Sequence, residues 1–284
     1  MWLGLGAEGP AGPSLMRSFL VTVAFLTVLP IRFREMPGAE LVARSRFWYP
    51  VVGLLLGALL GGWTALLAGN VSPMLGSFLV LLLWVGITGA LHIDGSCDLC
   101  DGLFGGATVE DRLRILRDPH VGVFGVVGGV LLLLAKFVLL VEILGSWQSV
   151  GVWPVVGAVC VARSLVLVVA AGAKYPRPDG TGKVLIEATR GWEAIVFTTI
   201  AALTSVASLG LGGWRLAHVP VALASILSAL AAVLVLRWLC ERRLGGITGD
   251  CLGAAIELAE TVYLLAAIVL LPLFPGSGHL GLAT

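Results

Sequence analysis

Leu91-His92-Ile93-Asp94-Gly95-Ser96-Cys97-Asp98-Leu99-Cys100-Asp101-Gly102-Leu103-Phe104-Gly105-Gly106 follows one apolar run of the chain and precedes another. Asp94, Asp98 and Asp101 stand at i, i+4 and i+7. On a helix of ~3.6 residues per turn those positions fall within about 60° of one face. Three carboxylates on one face beside a bilayer repel each other unless a cation neutralises them. An oxygen-only donor set suits Mg²⁺, with Mn²⁺ as an alternative, because such ions keep waters and take further ligands from substrate phosphates. The bland alternative is a solvated acidic face at a helix end.

The surrounding composition sets the fold class. The chain has 284 residues, 58% hydrophobic and only 12% charged, with a mean hydropathy of +1.01. Several runs approach the roughly 20 apolar residues that cross a bilayer. The expected fold is all-α: a polytopic integral membrane bundle of about eight helices, seven to nine allowed. The spans are placed near 15–31, 48–68, 75–93, 121–144, 152–172, 194–212, 219–240 and 252–273. The first is the weakest, being short and ended by Pro30. Residues 1–13, rich in Gly and Pro and without a basic n-region, read as a flexible lead rather than a cleavable signal. Residues 14–274 are then expected to form a single membrane domain, and 275–284 a tail. The five cysteines give no disulfide framework.

Charge placement orients the chain. Arg32, Arg34, Arg44 and Arg46, then Arg112, Arg114 and Arg117, then Lys174, Arg177, Lys183 and Arg190, then Arg242 and Arg243 occupy one set of alternating loops. The opposite set holds only Arg17 and Arg215. An excess of Lys and Arg marks the cytoplasmic side. The expectation is therefore a cytoplasmic (inner) membrane protein whose polar loops and candidate site face the cytoplasm. The outer connections near Gly69–Pro73, Gly145–Gly151 and Gly213–His218 are short. Glycines at steps of four, such as Gly53, Gly57 and Gly61, let membrane helices approach closely.

Three further polar stretches could carry chemistry. Glu110 to Gly125 is a short amphipathic segment broken by Pro119. Its Arg112, Arg114 and Arg117 could clamp phosphate through forked guanidinium donors, or simply anchor the loop. Lys174-Tyr175-Pro176-Arg177-Pro178-Asp179-Gly180-Thr181-Gly182-Lys183 is a shaped turn whose cations suit an anion. In Leu244-Gly245-Gly246-Ile247-Thr248-Gly249-Asp250, a Gly-rich turn feeds a helix whose first N–H groups can receive an anion. Glu257 and Glu260 follow inside an apolar span, where acids are functional candidates by default. Lys136 and Arg163, also within apolar runs, could pair with them or reach for an interface. Cys97-Asp98-Leu99-Cys100 contains a C-x-x-C, but zinc needs four ligands and no second ligand pair follows. No Gly-rich stretch follows a credible strand, so Rossmann and P-loop readings fail. No nucleic-acid-binding pattern is seen. The competing class is a transporter using the intramembrane charges, yet transporters usually show midplane sites and repeated halves, which this sequence lacks.

Taken in order, Ala90-Leu91-His92-Ile93-Asp94-Gly95-x-x-Asp98-x-x-Asp101-Gly102, Arg117-Asp118-Pro119-His120-Val121-Gly122-Val123-Phe124-Gly125, Tyr175-Pro176-Arg177-Pro178-Asp179-Gly180-x-Gly182 and Gly245-Gly246-Ile247-Thr248-Gly249-Asp250-x-Leu252-Gly253-Ala254 resemble the cobalamin synthase family. Phe25-Leu26-Thr27-x-Leu29-Pro30 and Trp48-Tyr49-Pro50-Val51-Val52-Gly53 fit as well. The resemblance runs from about residue 18 to 270. Cys97 and Cys100 depart from the small residues expected there. Asp118-Pro119-His120 departs from an Asp-Ser-Arg type of step, which removes a cation unless His120 is protonated.

The resemblance implies transfer of the adenosylcobinamide-phosphate moiety of adenosylcobinamide-GDP to α-ribazole or its 5′-phosphate, with release of GMP. The aspartate spacing is also similar to that of CDP-alcohol phosphotransferases. Asp94, Asp98 and Asp101 would hold Mg²⁺, with Glu257 and Glu260 at a second metal or supporting the Asp250 helix. Asp101 or Asp250 would take the hydroxyl proton. His92, Arg112, Arg117, Asp118, Lys174, Arg177, Gly246 and Thr248 would contact substrate. The implied partners are the two substrates and the lipid bilayer, with a homo-oligomer or a complex with other cobalamin-assembly enzymes left open.

Overall fold

A computed structural model describes residues 15–146, 151–180, 182–209 and 218–273. The expected lead at 1–13, the tail at 275–284, Arg215 and most of two outer connections lie outside the described residues. Among the described residues the regular structure is helical: α1 (Leu15–Leu26), α2 (Ala39–Ser45), α3 (Tyr49–Leu67), α4 (Pro73–Thr88), α5 (Leu91–Gly105), α6 (Val109–Ile115), α7 (Val123–Gly145), α8 (Trp153–Ala170), α9 (Lys183–Ala188), α10 (Glu193–Ser208), α11 (Val219–Leu244) and α12 (Gly249–Leu270), with short 3₁₀ turns at Arg46–Trp48 and Leu271–Leu273.

α8 is the hub. Every one of its 18 residues is buried, as expected of a helix that is apolar all round. α3 packs along it through Gly53, Gly57 and Gly61. A Cβ added at Gly57 would stand 2.9 Å from the Val156 carbonyl oxygen, and one at Gly53 2.9 Å from Arg163 Cβ. The partners run Arg163, Cys160, Val156 and Val152 as the glycines ascend, so the two helices are antiparallel. The glycine stripe read from the sequence is thus a contact between helix backbones.

Five stretches are long and apolar enough to cross a membrane: Ala39–Leu67, α7, α8, α11 and α12. α4 and α5 make a sixth if they are counted as one broken span, bent by 85°. The expected spans all fall on helices, but not all have the expected length. α1 has 12 residues, about 18 Å of helix against a hydrocarbon core of ~30 Å. α10 has 16 residues. The continuous helix expected over 75–93 breaks at Gly89 (φ 62°) and Ala90 (φ 57°), two successive left-handed residues. Ala90 carries a Cβ there, a conformation that costs energy and needs support from its surroundings. Part of that support is the segment after α1: Val28 N donates to the Ile87 carbonyl (2.9 Å). The Val28 side chain fills the space where a Cβ on Gly89 would lie. The break turns α5 by 85° from the axis of α4 and lays it against α7 and α12.

The four basic loops converge at one end of the bundle. Arg46 grips Glu193 with two hydrogen bonds, 2.9 and 3.0 Å long. Arg117 reaches Asp179 (2.7 Å), Arg112 donates to the Arg243 carbonyl (3.2 Å), and Ile247 N donates to the Lys174 carbonyl (2.9 Å). Each bond joins a different pair of loops, so the polar connections read from the sequence form one continuous face.

Candidate active site

α5 and α12 cross at this polar face, and small residues let them touch. A Cβ on Gly95 would lie 3.2 Å from Asp250 Cα, and one on Gly253 would lie 3.3 Å from His92 Cα. The crossing brings the start of α12, with Asp250, against the aspartate face of α5. A residue 150 positions downstream thereby joins a cluster that the sequence shows only as a triplet.

The three carboxylates of the triplet have different surroundings. Asp94 is exposed and Asp98 half-buried, while Asp101 is buried at 6% exposure. Both Asp101 carboxylate oxygens accept backbone N–H groups at the start of α7, from Gly122 (2.7 Å) and Gly125 (2.8 Å). That is a capping arrangement, satisfying the otherwise orphaned donors of a helix N-terminus. Asp101, expected as a metal ligand and base, ties α5 to α7 through its carboxylate in this structure. Gly122 and Gly125, which frame this bond, belong to a quoted motif but carried no assigned role.

Asp98 feels its neighbours. Partial burial and then the negative charges of Asp94, Asp250 and Asp101 push its carboxyl up to about 6, against a smaller opposing pull from Arg177. Charge of one sign is concentrated here and incompletely offset. Arg177 is the nearby cation, with Nη2 3.6 Å from Asp250 Oδ2. Its Nε and Nη2 are buried and make no hydrogen bond to a described residue. A guanidinium held in place with spare donors is a receptor for an oxyanion.

Thr248 sets the α12 N-terminus. Its Oγ1 receives the Cys251 N–H (3.4 Å) and donates to Asp250 Oδ2 (3.1 Å). Gly246 is required by crowding, since a Cβ there would stand 2.2 Å from the Lys174 carbonyl oxygen. Both positions were expected to contact substrate; here they shape the turn that presents Asp250. Lys174 is exposed and supplies that carbonyl. Arg112, also expected to grip phosphate, is buried, with its guanidinium turned to the Arg243 carbonyl. Arg117 is exposed and paired with Asp179, a partner the sequence did not suggest. Asp118 accepts from the backbone and ring of His120 (3.0 and 2.7 Å), which hold its carboxyl below the usual range.

Glu257 and Glu260 lie deeper, and they have partners. Lys136 of α7 bonds both carboxylates, and Arg163 of α8 bonds Glu260. All four side chains are at most 4% exposed. Lys136 also sits 4.8 Å from the centre of the Trp84 ring. Two acids and two bases neutralise each other, the counter-ion arrangement that the sequence allowed. A cation added there would displace Lys136 or Arg163 into an apolar interior.

Among the described residues no three His, Cys, Asp or Glu side chains form a ready-made metal cage. The donor chemistry still fits Mg²⁺, which is commonly held by one or two carboxylates plus substrate phosphates. Asp94 and Asp98 on one face, with Asp250 opposite, supply that pattern.

The profile of the family described as cobalamin-5-phosphate synthase matches residues 18–268. A relative from Pseudomonas putida, called adenosylcobinamide-GDP ribazoletransferase, is 40% identical over 255 residues, covering 88% of this chain and 98% of the relative. One of the same name from Chlorobaculum tepidum is 37% identical over 265 residues, covering 91% and 98%. No solved structure shows a significant match. With the family profile spanning all four motif stretches and the relatives aligned over nearly their whole length, the chain belongs to the cobalamin-5-phosphate synthase family.

Proposed function

We propose that the chain is an adenosylcobinamide-GDP ribazoletransferase, acting in the nucleotide-loop assembly of cobalamin. The relatives' shared name supports this. The observation that carries it is the facing of Asp94 and Asp98 on α5 by Asp250 on α12, with the free Arg177 donors beside them.

In this reading a ribose hydroxyl of α-ribazole, or of its 5′-phosphate, attacks the phosphorus that carries the cobinamide. A P–O bond forms to the ribose, the pyrophosphate P–O bond breaks, and GMP leaves. Asp94 and Asp98 would hold Mg²⁺, which when bound offsets the charge of the pyrophosphate oxygens. Asp250 accepts the hydroxyl proton, in preference to Asp101, whose oxygens are engaged with the α7 backbone. Arg177 donates to the phosphate oxygens as charge moves onto the leaving group. Thr248 orients Asp250 for that role. Lys174 and Arg117, exposed on the same face, draw the anionic substrate in.

The finer topology is part of the proposal. The polar face lies in the cytoplasm, and α3, α4, α7, α8, α10, α11 and α12 cross the inner membrane with short α1 as an eighth element. Support comes from the excess of Lys and Arg on that face. The shorter helices fit if the bilayer thins around them.

The test is turnover by the purified membrane protein of adenosylcobinamide-GDP plus α-ribazole, with Mg²⁺ or with EDTA, alongside Asp98→Asn. Cobalamin and GMP formed only with metal and the intact carboxylate is the expected result. Product indifferent to metal would overturn the mechanism, and no product from folded protein would overturn the function.

A further inference from the structure

Beside the crossing of α5 and α12 lies a cavity of about 240 Å³. Asp94 and Asp250, one on each of the two crossing helices, line it. Its walls are largely apolar and include Phe25, Tyr49, Val166, Leu185 and Ile256, from five different helices. His92 also lines it. This imidazole is 4% exposed, and its Nδ1 is buried without a hydrogen-bond partner among the described residues. Buried polar atoms are nearly always paired, so the unpaired Nδ1 of a residue that lines the cavity is the atom whose bond a ligand would complete.

We infer that this cavity seats the heteroaromatic base of the acceptor nucleoside, with His92 Nδ1–H donating to its ring nitrogen and Asp94 and Asp250 meeting the ribose. The inference rests on the function proposed above and adds the place and the recognition group. Ribazole is a riboside of a benzimidazole, a flat apolar ring system with a single free acceptor nitrogen. One unpaired donor among aliphatic and aromatic walls matches that chemistry. The guanine of the other substrate does not fit as well. Its ring carries donors at N1 and N2 and acceptors at N3, O6 and N7, which these walls would leave unpaired at high cost. Phosphate is excluded from the inner walls for the same reason and belongs to Arg177 at the polar face. A base held beside Asp250 turns its ribose toward that carboxylate, so binding and proton acceptance occur at one place.

The experiment measures KM for each substrate separately in purified full-length protein. Val166→Phe narrows the cavity. It should raise KM for α-ribazole about tenfold or more, as expected for loss of fit in an apolar pocket, while KM for adenosylcobinamide-GDP stays within about twofold. Acceptors with a smaller base should lose less than those with a larger one. His92→Phe should weaken the acceptor similarly, and His92→Asn, whose amide nitrogen takes the place of Nδ1, should recover it. If Val166→Phe does not fold, Val166→Ala replaces it and should shift preference toward larger bases. A rise confined to adenosylcobinamide-GDP would assign the cavity to the other substrate, and unchanged constants for both would show that it holds neither base; either overturns the inference. Equilibrium dialysis of α-ribazole against wild type and Val166→Phe reads the same site without turnover. Wild-type protein that transfers to no acceptor would instead sink the functional reading, which separates the two failures.

Discussion

Asp250 and Glu257 lie on the same helix, two turns apart, yet they meet opposite surroundings. Glu257 and its neighbour Glu260 are sealed between Lys136 and Arg163, every charge matched and every side chain buried. Asp250 stands at the polar face with Asp94 and Asp98, where one arginine at 3.6 Å leaves the negative charge in excess. A neutral buried network orders α7, α8 and α12 relative to one another. An under-compensated cluster beside a cavity is available to a cation and a substrate. Residue type does not separate the two; the charge balance of the surroundings does.

The comparison breaks most easily at the buried network. Glu260→Gln leaves Lys136 and Arg163 short of a counter-charge in an apolar interior, and should destabilise the fold by about 3–5 kcal/mol. Thermal unfolding in detergent reads this, and the folded fraction should keep its activity. A fully stable Glu260→Gln would show that the quartet is not what holds these helices. Asp98→Asn should do the reverse: activity falls by on the order of 10²–10³-fold, and the melting temperature does not fall, because a repelling charge has been removed. If this variant unfolds while retaining turnover, the division between the two clusters is wrong.

Acid sharpens the contrast further. The raised Asp98 carboxyl must lose its proton to bind a cation, so apparent Mg²⁺ affinity should drop about tenfold for each pH unit below about 6. The sign for stability is opposite. The folded state takes up this proton more readily than the unfolded chain, so the metal-free protein gains stability at this group as pH falls from about 6 toward about 4. Titrations of metal-dependent activity and of metal-free melting, run over the same pH range, should therefore move in opposite directions. The smallest effect concerns Asp101. Asp101→Asn retains one acceptor oxygen for the two N–H groups of α7 and should cost about 1–2 kcal/mol of stability. Its activity per folded molecule should fall far less than that of Asp98→Asn; an equal loss would return Asp101 to the chemistry.

Composition and periodicity alone determined that this is a helical membrane protein, because crossing hydrocarbon demands long apolar runs with internally satisfied backbones. The loop cations placed the polar stretches on one side, and the motifs placed the chain in its family. The spacing of Asp94, Asp98 and Asp101 correctly put them on one helix. It could not show that Asp101 would turn to the Gly122 and Gly125 amides, since that partner lies on another helix and bonds through its backbone. Nor could it distinguish Glu257 from Asp250. Helical period fixes the face a residue occupies, whereas its charge state and role depend on what the opposite helix brings within a few ångströms. Tertiary structure decided the break at Ala90, the meeting of α5 with α12, and the cavity between them. These are long-range contacts, and their energies belong to pairs of segments that no local stretch of sequence contains.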